Sequence, residues 1–445
     1  MNEFDPFQVV RATGSTNGTG PVPGKTPSIN TPHFRQYDDT LQVPTTIAES
    51  RRFEVSLLAR EVSDLCLGKP ALRSLSVSAT VSDALLMLKG SGDNFISVWS
   101  CDHSSNAKVG FEDCRCVGKL CMVDVICYLC KEEKLASPSS ALTSPVSVLL
   151  TKPAGIVRHV ERHSSILEVI DLIMEGAQNL VVPIQSSISS RKKLLQKSSF
   201  GPTQHNGREF CWLTQEDVIR FLLSSISLFS PIPALSIDSL GIIGTEVLAI
   251  EYHDPAYSAV DLISSSLSQQ TSVAVVDDDG KLIGEISPYT LSSCDETVAA
   301  AITTLSAGDL MAYIDYGGLP EALVQVVKAR LKERKFEGML ELLEEFSPSS
   351  SSSCSSDEES SSSSPRAPVR SRRYSRQGSY SARMVGRAEA IVCHPRSSLV
   401  AVMIQALAHR VNYVWVIEDD YSLAGIVTFS DMLKVFREHL DSLCR

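Results

Sequence analysis

The sequence predicts an α+β fold of four β-α-β-β-α repeats that form two tandem pairs. Three observations carry this expectation. One five-element pattern of apolar periodicity recurs four times between about residues 60 and 442. Two stretches lie outside it and lack the apolar residues to offset the entropy of ordering: an N-terminal extension over 1–55, rich in Gly, Thr, Pro and Ser, and a Ser/Arg-rich run over 347–387. The remainder has the balance of a folded protein, since the whole chain is 43% hydrophobic and 21% charged.

The first repeat, 60–133, has a helix over 81–89, a strand over 95–99, a long polar loop, a strand over 116–120 and a helix over 122–130. The second, 144–226, opens with a strand over 155–160. Its helix over 166–175 is announced by Ser165 with Glu168 three residues on and closed by Gly176, the spacings of a capping box and a glycine cap. A strand over 180–184, a polar insertion containing Arg191-Lys192-Lys193, a strand over 209–214 and a helix over 216–223 follow. The third, 233–295, has a strand over 247–252 and a helix over 257–267. Its strands over 272–276 and 282–287 are joined by Asp277-Asp278-Asp279-Gly280, a strong hairpin signal. The fourth, 306–442, contains the Ser/Arg insertion at 347–387. Its strand over 389–393 leads to the helix start Pro395-Arg396-Ser397-Ser398, and Leu399, Met403, Ile404 and Leu407 recur at helical spacing. Strands over 413–417 and 423–428 flank a turn, and a helix over 430–439 ends the pattern.

Charge and apolar runs narrow the function classes. With 41 Lys and Arg against 52 Asp and Glu, the net charge of −11 argues against binding nucleic acid through bulk electrostatics. No run approaches the ~18 apolar residues of a membrane span. The best stretch, 218–237, is broken by Arg220, Pro231 and Pro233. Glu3 and Asp5 sit where transit peptides avoid acids, and Met1 opens no apolar signal segment, so a cytoplasmic location with the 12 cysteines reduced is expected. The sequence shows no nucleophile elbow, Walker loop or paired-carboxylate spacing, which argues against an enzyme.

The junctions between last strand and last helix read GKLCMVD at 118–124, WLTQED at 212–217, GEISPYT at 284–290 and GIVTFSD at 425–431. A hydroxyl three residues ahead of Asp, after a glycine-containing strand, resembles the cystathionine-β-synthase (CBS) domain family. Asp309-Leu310-Met311 is similar to the short lead-in that precedes such a repeat, and the four-repeat layout resembles the plant CBSX group. The resemblance implies repeats paired through their sheets into disc-like modules. It also implies an adenosyl ligand, such as AMP, ADP, ATP or S-adenosylmethionine, in the clefts, and a regulatory rather than catalytic role toward a partner protein. The alternative is a ligand-free scaffold or interaction subunit, similar to the gamma subunit of AMP-activated kinase and seated in a kinase complex. Two pairs can meet within one chain, so a monomer is expected beside the homodimer.

The resemblance assigns ligand binding to Thr428 and Asp431, Thr214 and Asp217, and Asp124. A carboxylate can accept both ribose hydroxyls, and a hydroxyl at a helix start can meet a phosphate. The same residues suit helix caps, and that reading stays open. Repeat one has Cys121 at the hydroxyl position and repeat three has Thr290 in place of the acid. Before the middle strands stand Gln178-Asn179 and Asn412-Tyr413, where kinase subunits of the family carry basic residues; His409 and Arg410 lie close by.

Two further features stand apart from this pattern. Cys101, His103, Cys114 and Cys116 lie at mirrored i and i+2 spacing on two neighbouring strands, which could converge on a structural zinc ion, with free thiols as the alternative. Arginines precede Ser375 and Ser379, and acids follow Ser355 and Ser356, as phosphorylation by kinases requires; a solvated linker is the alternative.

Overall fold

The computed structural model of the chain describes residues 56, 59–91, 94–101, 114–150, 157–184, 203–315, 321–346 and 388–444. Both the N-terminal extension and the Ser/Arg insertion, with its candidate phosphorylation sites, lie outside the described residues, as does His103.

A short helix α1 (Val62–Leu65) precedes repeat one, which comprises β1 (Ser74–Ser76), α2 (Val81–Ser91), β2 (Phe95–Trp99), β3 (Cys116–Cys121) and α3 (Met122–Leu129). After α4 (Glu132–Ala136) and α5 (Pro138–Leu142), repeat two comprises β4 (Val157–His159), α6 (Ile166–Met174), β5 (Asn179–Ile184), β6 (Glu209–Leu213) and α7 (Gln215–Ser224). Repeat three comprises β7 (Ala249–Glu251), α8 (Val260–Gln269), β8 (Val273–Val276), β9 (Leu282–Ile286) and the single turn α9 (Pro288–Leu291). Helices α10 (Val298–Thr304), α11 (Ala307–Asp315), α12 (Glu321–Glu333) and α13 (Glu337–Phe346) lead to repeat four: β10 (Val392–Cys393), α14 (Leu399–His409), β11 (Tyr413–Ile417), β12 (Leu423–Thr428) and α15 (Phe429–Cys444).

Each repeat forms its own three-stranded sheet in chain order. The first two strands run parallel and the third pairs antiparallel, for example Val392 with Trp415 and Trp415 with Ile426. The middle strands are largely apolar, with Ser97 and Asn179 the polar exceptions, because both of their faces are mostly covered. In β11 all five residues are buried. Val414 and Val416 face the helices, while Tyr413 and Trp415 face the sheet of repeat three. That alternation generates the whole architecture. Sheet faces pack repeat one on two, around Trp99 and Val181, and repeat three on four, around Ala274 and Trp415. Helix faces pack repeat one on three and repeat two on four. The expected α+β class with two pairs of repeats is what the chain adopts.

The segments that lead into the repeats are exchanged within each pair. Glu61, ahead of repeat one, bridges Ser165 in repeat two, and Pro145, ahead of repeat two, bridges Thr80 in repeat one. Ser236, ahead of repeat three, bridges Ser398 in repeat four, and Ser306, just before the Asp309-Leu310-Met311 lead-in, bridges Pro255 in repeat three. Each lead-in crosses its partner's last strand, and this explains the strand glycines. A Cβ on Gly118 would stand 2.4 Å from Leu150 Cδ2, one on Gly284 2.3 Å from Met311 Cε, and one on Gly425 2.4 Å from the Gly244 carbonyl oxygen.

Sequence periodicity did not single out the hairpin of α12 and α13. Val327, Leu331, Met339 and Leu343 bury its inner face in the core shared by repeats one and three, and Arg334 Nη1 donates to the Thr303 carbonyl at 2.7 Å.

Candidate functional site

Each repeat enters its last helix through a local cap. In repeat two, Asp217 Oδ2 accepts the Thr214 amide and hydroxyl, both at 2.8 Å. In repeat four, Asp431 Oδ2 accepts the Thr428 amide at 2.9 Å and hydroxyl at 2.6 Å, and Thr428 Oγ1 accepts the Asp431 amide at 3.2 Å. Asp124 Oδ2 accepts the Cys121 amide at 2.7 Å in repeat one. Repeat three caps without a carboxylate: Ser287 Oγ accepts the Tyr289 amide, and Thr290 Oγ1 donates to the Ser287 carbonyl. Capping therefore occupies one oxygen of each aspartate.

The junctions of repeats one, two and three converge with the turn between α14 and β11 of repeat four. A cavity of about 390 Å³ is lined by residues of all four repeats. Lys119, Cys121 and Asp124 come from repeat one, Asn179 and Thr214 from repeat two, Gln270, Ser287 and Tyr289 from repeat three, and Arg410 and Asn412 from repeat four. Two of these arrive through left-handed turns, since α8 ends at Gln270 with φ 58° and α14 ends at Arg410 with φ 59°. Side-chain amides tie the repeats together at the rim: Gln270 Nε2 donates to the Gln178 carbonyl and Asn412 Nδ2 to Gln270 Oε1, each at 2.9 Å. Lys119 Nζ donates to Asn179 Oδ1 at 2.9 Å and lies 3.7 Å from the centre of the Phe95 ring.

The cavity holds unlike charges in a poorly hydrated setting. Enclosure pushes the Asp124 carboxyl up to about 6, opposed by the Cys121 amide, and pulls the Lys119 ammonium down to about 8. Beside the cavity Glu285 is buried between the sheets of repeats three and four. It accepts the Tyr413 hydroxyl at 2.8 Å and the Trp415 indole N–H at 2.6 Å, and desolvation raises it to about 7 despite those donors.

Of the five residues marked for ligand binding, Asp124 and Thr214 line this cavity, whereas Asp217, Thr428 and Asp431 do not. Asp217 is countered from within the chain: Lys69 Nζ sits 2.5 Å from its Oδ2 and also donates to the Trp212 carbonyl at 3.0 Å. Lys69→Met should therefore cost on the order of 1–3 kcal/mol, read by chemical denaturation, because it strips a charge-assisted bond from a largely buried carboxylate. Sequence reasoning missed Lys119 as a cavity cation, and noted Arg410 only as a basic residue near the middle strand of repeat four. Lys119 stands inside the GKLCMVD junction and Arg410 two residues before Asn412, but nothing local indicates that they converge.

Of the four expected zinc ligands, the three that are described do not all come together. Cys101 and Cys114 meet, with Sγ atoms 3.0 Å apart. Cys116 does not join them, because its thiol donates to the Gly118 carbonyl at 3.4 Å. The expectation of one shared face fails because Cys114 lies beyond the end of β3 and the pairing of β2 with β3 shifts register at Val98 and Trp99.

A family model described as CBS domain matches residues 383–438. The CBS domain-containing protein CBSX5 of Arabidopsis thaliana is 52% identical over 398 residues, covering 87% of this chain and 99% of that protein. The chain belongs to the CBS-domain family. Two further relatives from the same plant span similar lengths. CBS domain-containing protein CBSX6 is 27% identical over 412 residues, covering 84% of this chain and 92% of that one. A protein named SNF1-related protein kinase regulatory subunit gamma-like PV42b is 21% identical over 399 residues, covering 86% and 96%. Among the described residues of this CBS-domain protein no helix is long and apolar enough to cross a membrane.

Proposed function

We propose that this CBS-domain protein is a non-catalytic regulatory subunit that binds an adenosyl compound in its central cavity and transmits occupancy to a partner protein. One observation carries the reading: the cavity joins all four repeats and sets a carboxylate, Asp124, against two cations, Lys119 and Arg410. Asp124 is the acceptor for ribose hydroxyls, and Lys119 and Arg410 supply the positive field for phosphate. The kinship with a gamma-like kinase regulatory subunit supports a kinase complex as the partner. Asp431, whose Oδ1 has no hydrogen-bond partner among the described residues, is the candidate for a second, outer site.

A panel of AMP, ADP, ATP and S-adenosylmethionine should raise the melting temperature of the full chain. A ligand at 100 times its Kd adds about 2.7 kcal/mol to native stability. Asp124→Asn retains an oxygen for the Cys121 amide and should fold, yet lose most of that shift; Lys119→Gln should weaken phosphate-bearing ligands selectively. A second reading, an interaction subunit without ligand, is favoured by the Lys69–Asp217 pair, since one junction already carries an internal counter-ion. No shift with any member of the panel would decide for that reading.

A further inference from the structure

Away from the cavity, two connections of the first module meet over Trp99. Cys101 and Cys114 flank the β2–β3 connection of repeat one, and His205 lies on the β5–β6 connection of repeat two, 104 residues from Cys101 in sequence. The His205 Nδ1 atom is 3.3 Å from Cys101 Sγ and 3.2 Å from Cys114 Sγ, and the two sulfurs are 3.0 Å apart. We propose that Cys101, Cys114 and His205 form a zinc site that clasps repeat two to repeat one.

Three features separate this triangle from a chance cluster of thiols. First, the donors are a zinc set, two sulfurs and an imidazole nitrogen, facing one point. Tetrahedral bonds of about 2.3 Å to sulfur and about 2.1 Å to nitrogen need donor separations of about 3.8 Å between the sulfurs and about 3.6 Å from sulfur to nitrogen, so the sulfur–sulfur edge opens by about 0.8 Å and the other two by about 0.3–0.4 Å on binding. Second, the imidazole is already fixed in the orientation that a ligand needs. Its Nε2 lies 2.8 Å from Ser74 Oγ, which lies 3.0 Å from Ser97 Oγ, and Ser97 accepts the Trp99 indole N–H at 2.9 Å. In the tautomer that donates from Nε2 to Ser74 Oγ, the lone pair of Nδ1 faces the sulfurs, which is the second-shell arrangement of metal-bound histidines. The ring also stacks on Trp99, with centroids 3.5 Å apart and planes 7° from parallel. Third, two of the ligands are withdrawn from solvent on an apolar wall and Cys114 is half-buried at its edge. Cys101 is 5% and His205 2% exposed, in a cluster with Trp99, Cys116 and Phe210.

A disulfide fits these atoms less well. The sulfurs are about 1 Å beyond bonding distance, and such a bond would leave His205 Nδ1 facing two sulfurs that carry no proton. Three protein donors leave the fourth tetrahedral position to water or to a further ligand. The clasp ties the end of one sheet to the connection of its neighbour and shares no residue with the cavity lining.

The test uses the full chain, reduced and stripped of metal by chelator, titrated with Co²⁺ and then with Zn²⁺. The expected result is a sulfur-to-cobalt charge-transfer band that saturates at one equivalent and is displaced by zinc, with a rise in melting temperature. Cys114→Ser and His205→Gln should abolish the band while the far-UV circular dichroism stays native. Ser74→Ala should lower affinity by about 10–100-fold, as expected for loss of a second-shell partner. Cys116→Ser should bind as the wild type does. A band that survives His205→Gln overturns the site, as does a folded wild type that takes up no metal, or a Cys101–Cys114 disulfide that persists under the reducing conditions of the titration.

Discussion

Replacing Gly425 with valine should destabilise the protein by about 3–5 kcal/mol, although valine is the better strand former by propensity. Gly244 and Ile426 exchange two backbone hydrogen bonds of 2.9 Å, holding the lead-in of repeat three across β12. A Cβ at Gly425 would lie 2.4 Å from the Gly244 carbonyl oxygen and 2.7 Å from Ile243 Cγ2. Backbone on one side and a packed side chain on the other leave no flexible atom to yield. Over-packing of this kind costs about 1–3 kcal/mol, and displacing the lead-in adds about 0.5–1.5 kcal/mol for each hydrogen bond lost. Gly425→Ala should show most of the effect, because the first carbon makes the clash. Gly244→Ala is the contrast: its Cβ meets nothing closer than 3.4 Å, so it should change stability by less than about 1 kcal/mol. Urea denaturation of the three variants checks the order; a neutral Gly425→Ala would mean that the lead-in does not lie against β12.

Stability should also fall as pH rises from about 4.5 to about 7, and Glu285→Gln should remove a large part of that fall. Burial raises the Glu285 carboxyl from its ordinary 4.5 to about 7, while the Trp415 and Tyr413 donors oppose the rise. Within this window the unfolded chain has released the proton and the folded chain retains it. The contribution is thus complete below about 4.5 and lost as pH climbs through about 7. That interval corresponds to about 3 kcal/mol. Asp124, raised to about 6, adds a slope of the same sign, so the informative quantity is wild type minus variant. The variant should be the more stable protein at pH 8, and equal slopes for both proteins would contradict the assignment.

Much of the fold could be read from the chain because buried middle strands and short hairpins leave strong local signals. The strand expected over 413–417 coincides with β11, and that over 423–428 with β12. The helix expected over 166–175 starts where Ser165 Oγ accepts the Glu168 amide at 3.1 Å and stops at Gly176, φ 98°. The first strand of repeat one escaped notice because its three residues, Ser-Leu-Ser, are all half-buried and form no apolar run. Helices α12 and α13 lie between the lead-in and the first strand of repeat four, so the five-element pattern has no place for them. The site was legible only in part. Asp124 and Thr214 carry the local junction pattern, whereas Lys119 and Arg410 acquire their meaning from convergence of four repeats. The pairing of Lys69 with Asp217 spans 148 residues and that of Cys101 with His205 spans 104, distances over which periodicity says nothing.

The exchanged lead-ins bear on how the chain comes off the ribosome. Domains generally fold as units during synthesis, starting from the N-terminus. Here the segment that covers β3, including Val146, Leu149 and Leu150, is made only after repeat one is finished. A nascent first repeat therefore carries an uncovered strand until the start of repeat two has emerged, and the fourth repeat is likewise covered by residues made before the third. The smallest piece able to close its own surface is a pair of repeats. Truncations placed between the two members of a pair should yield aggregating fragments, and those placed between pairs should sever the helix-packed cores but leave each sheet sandwich whole.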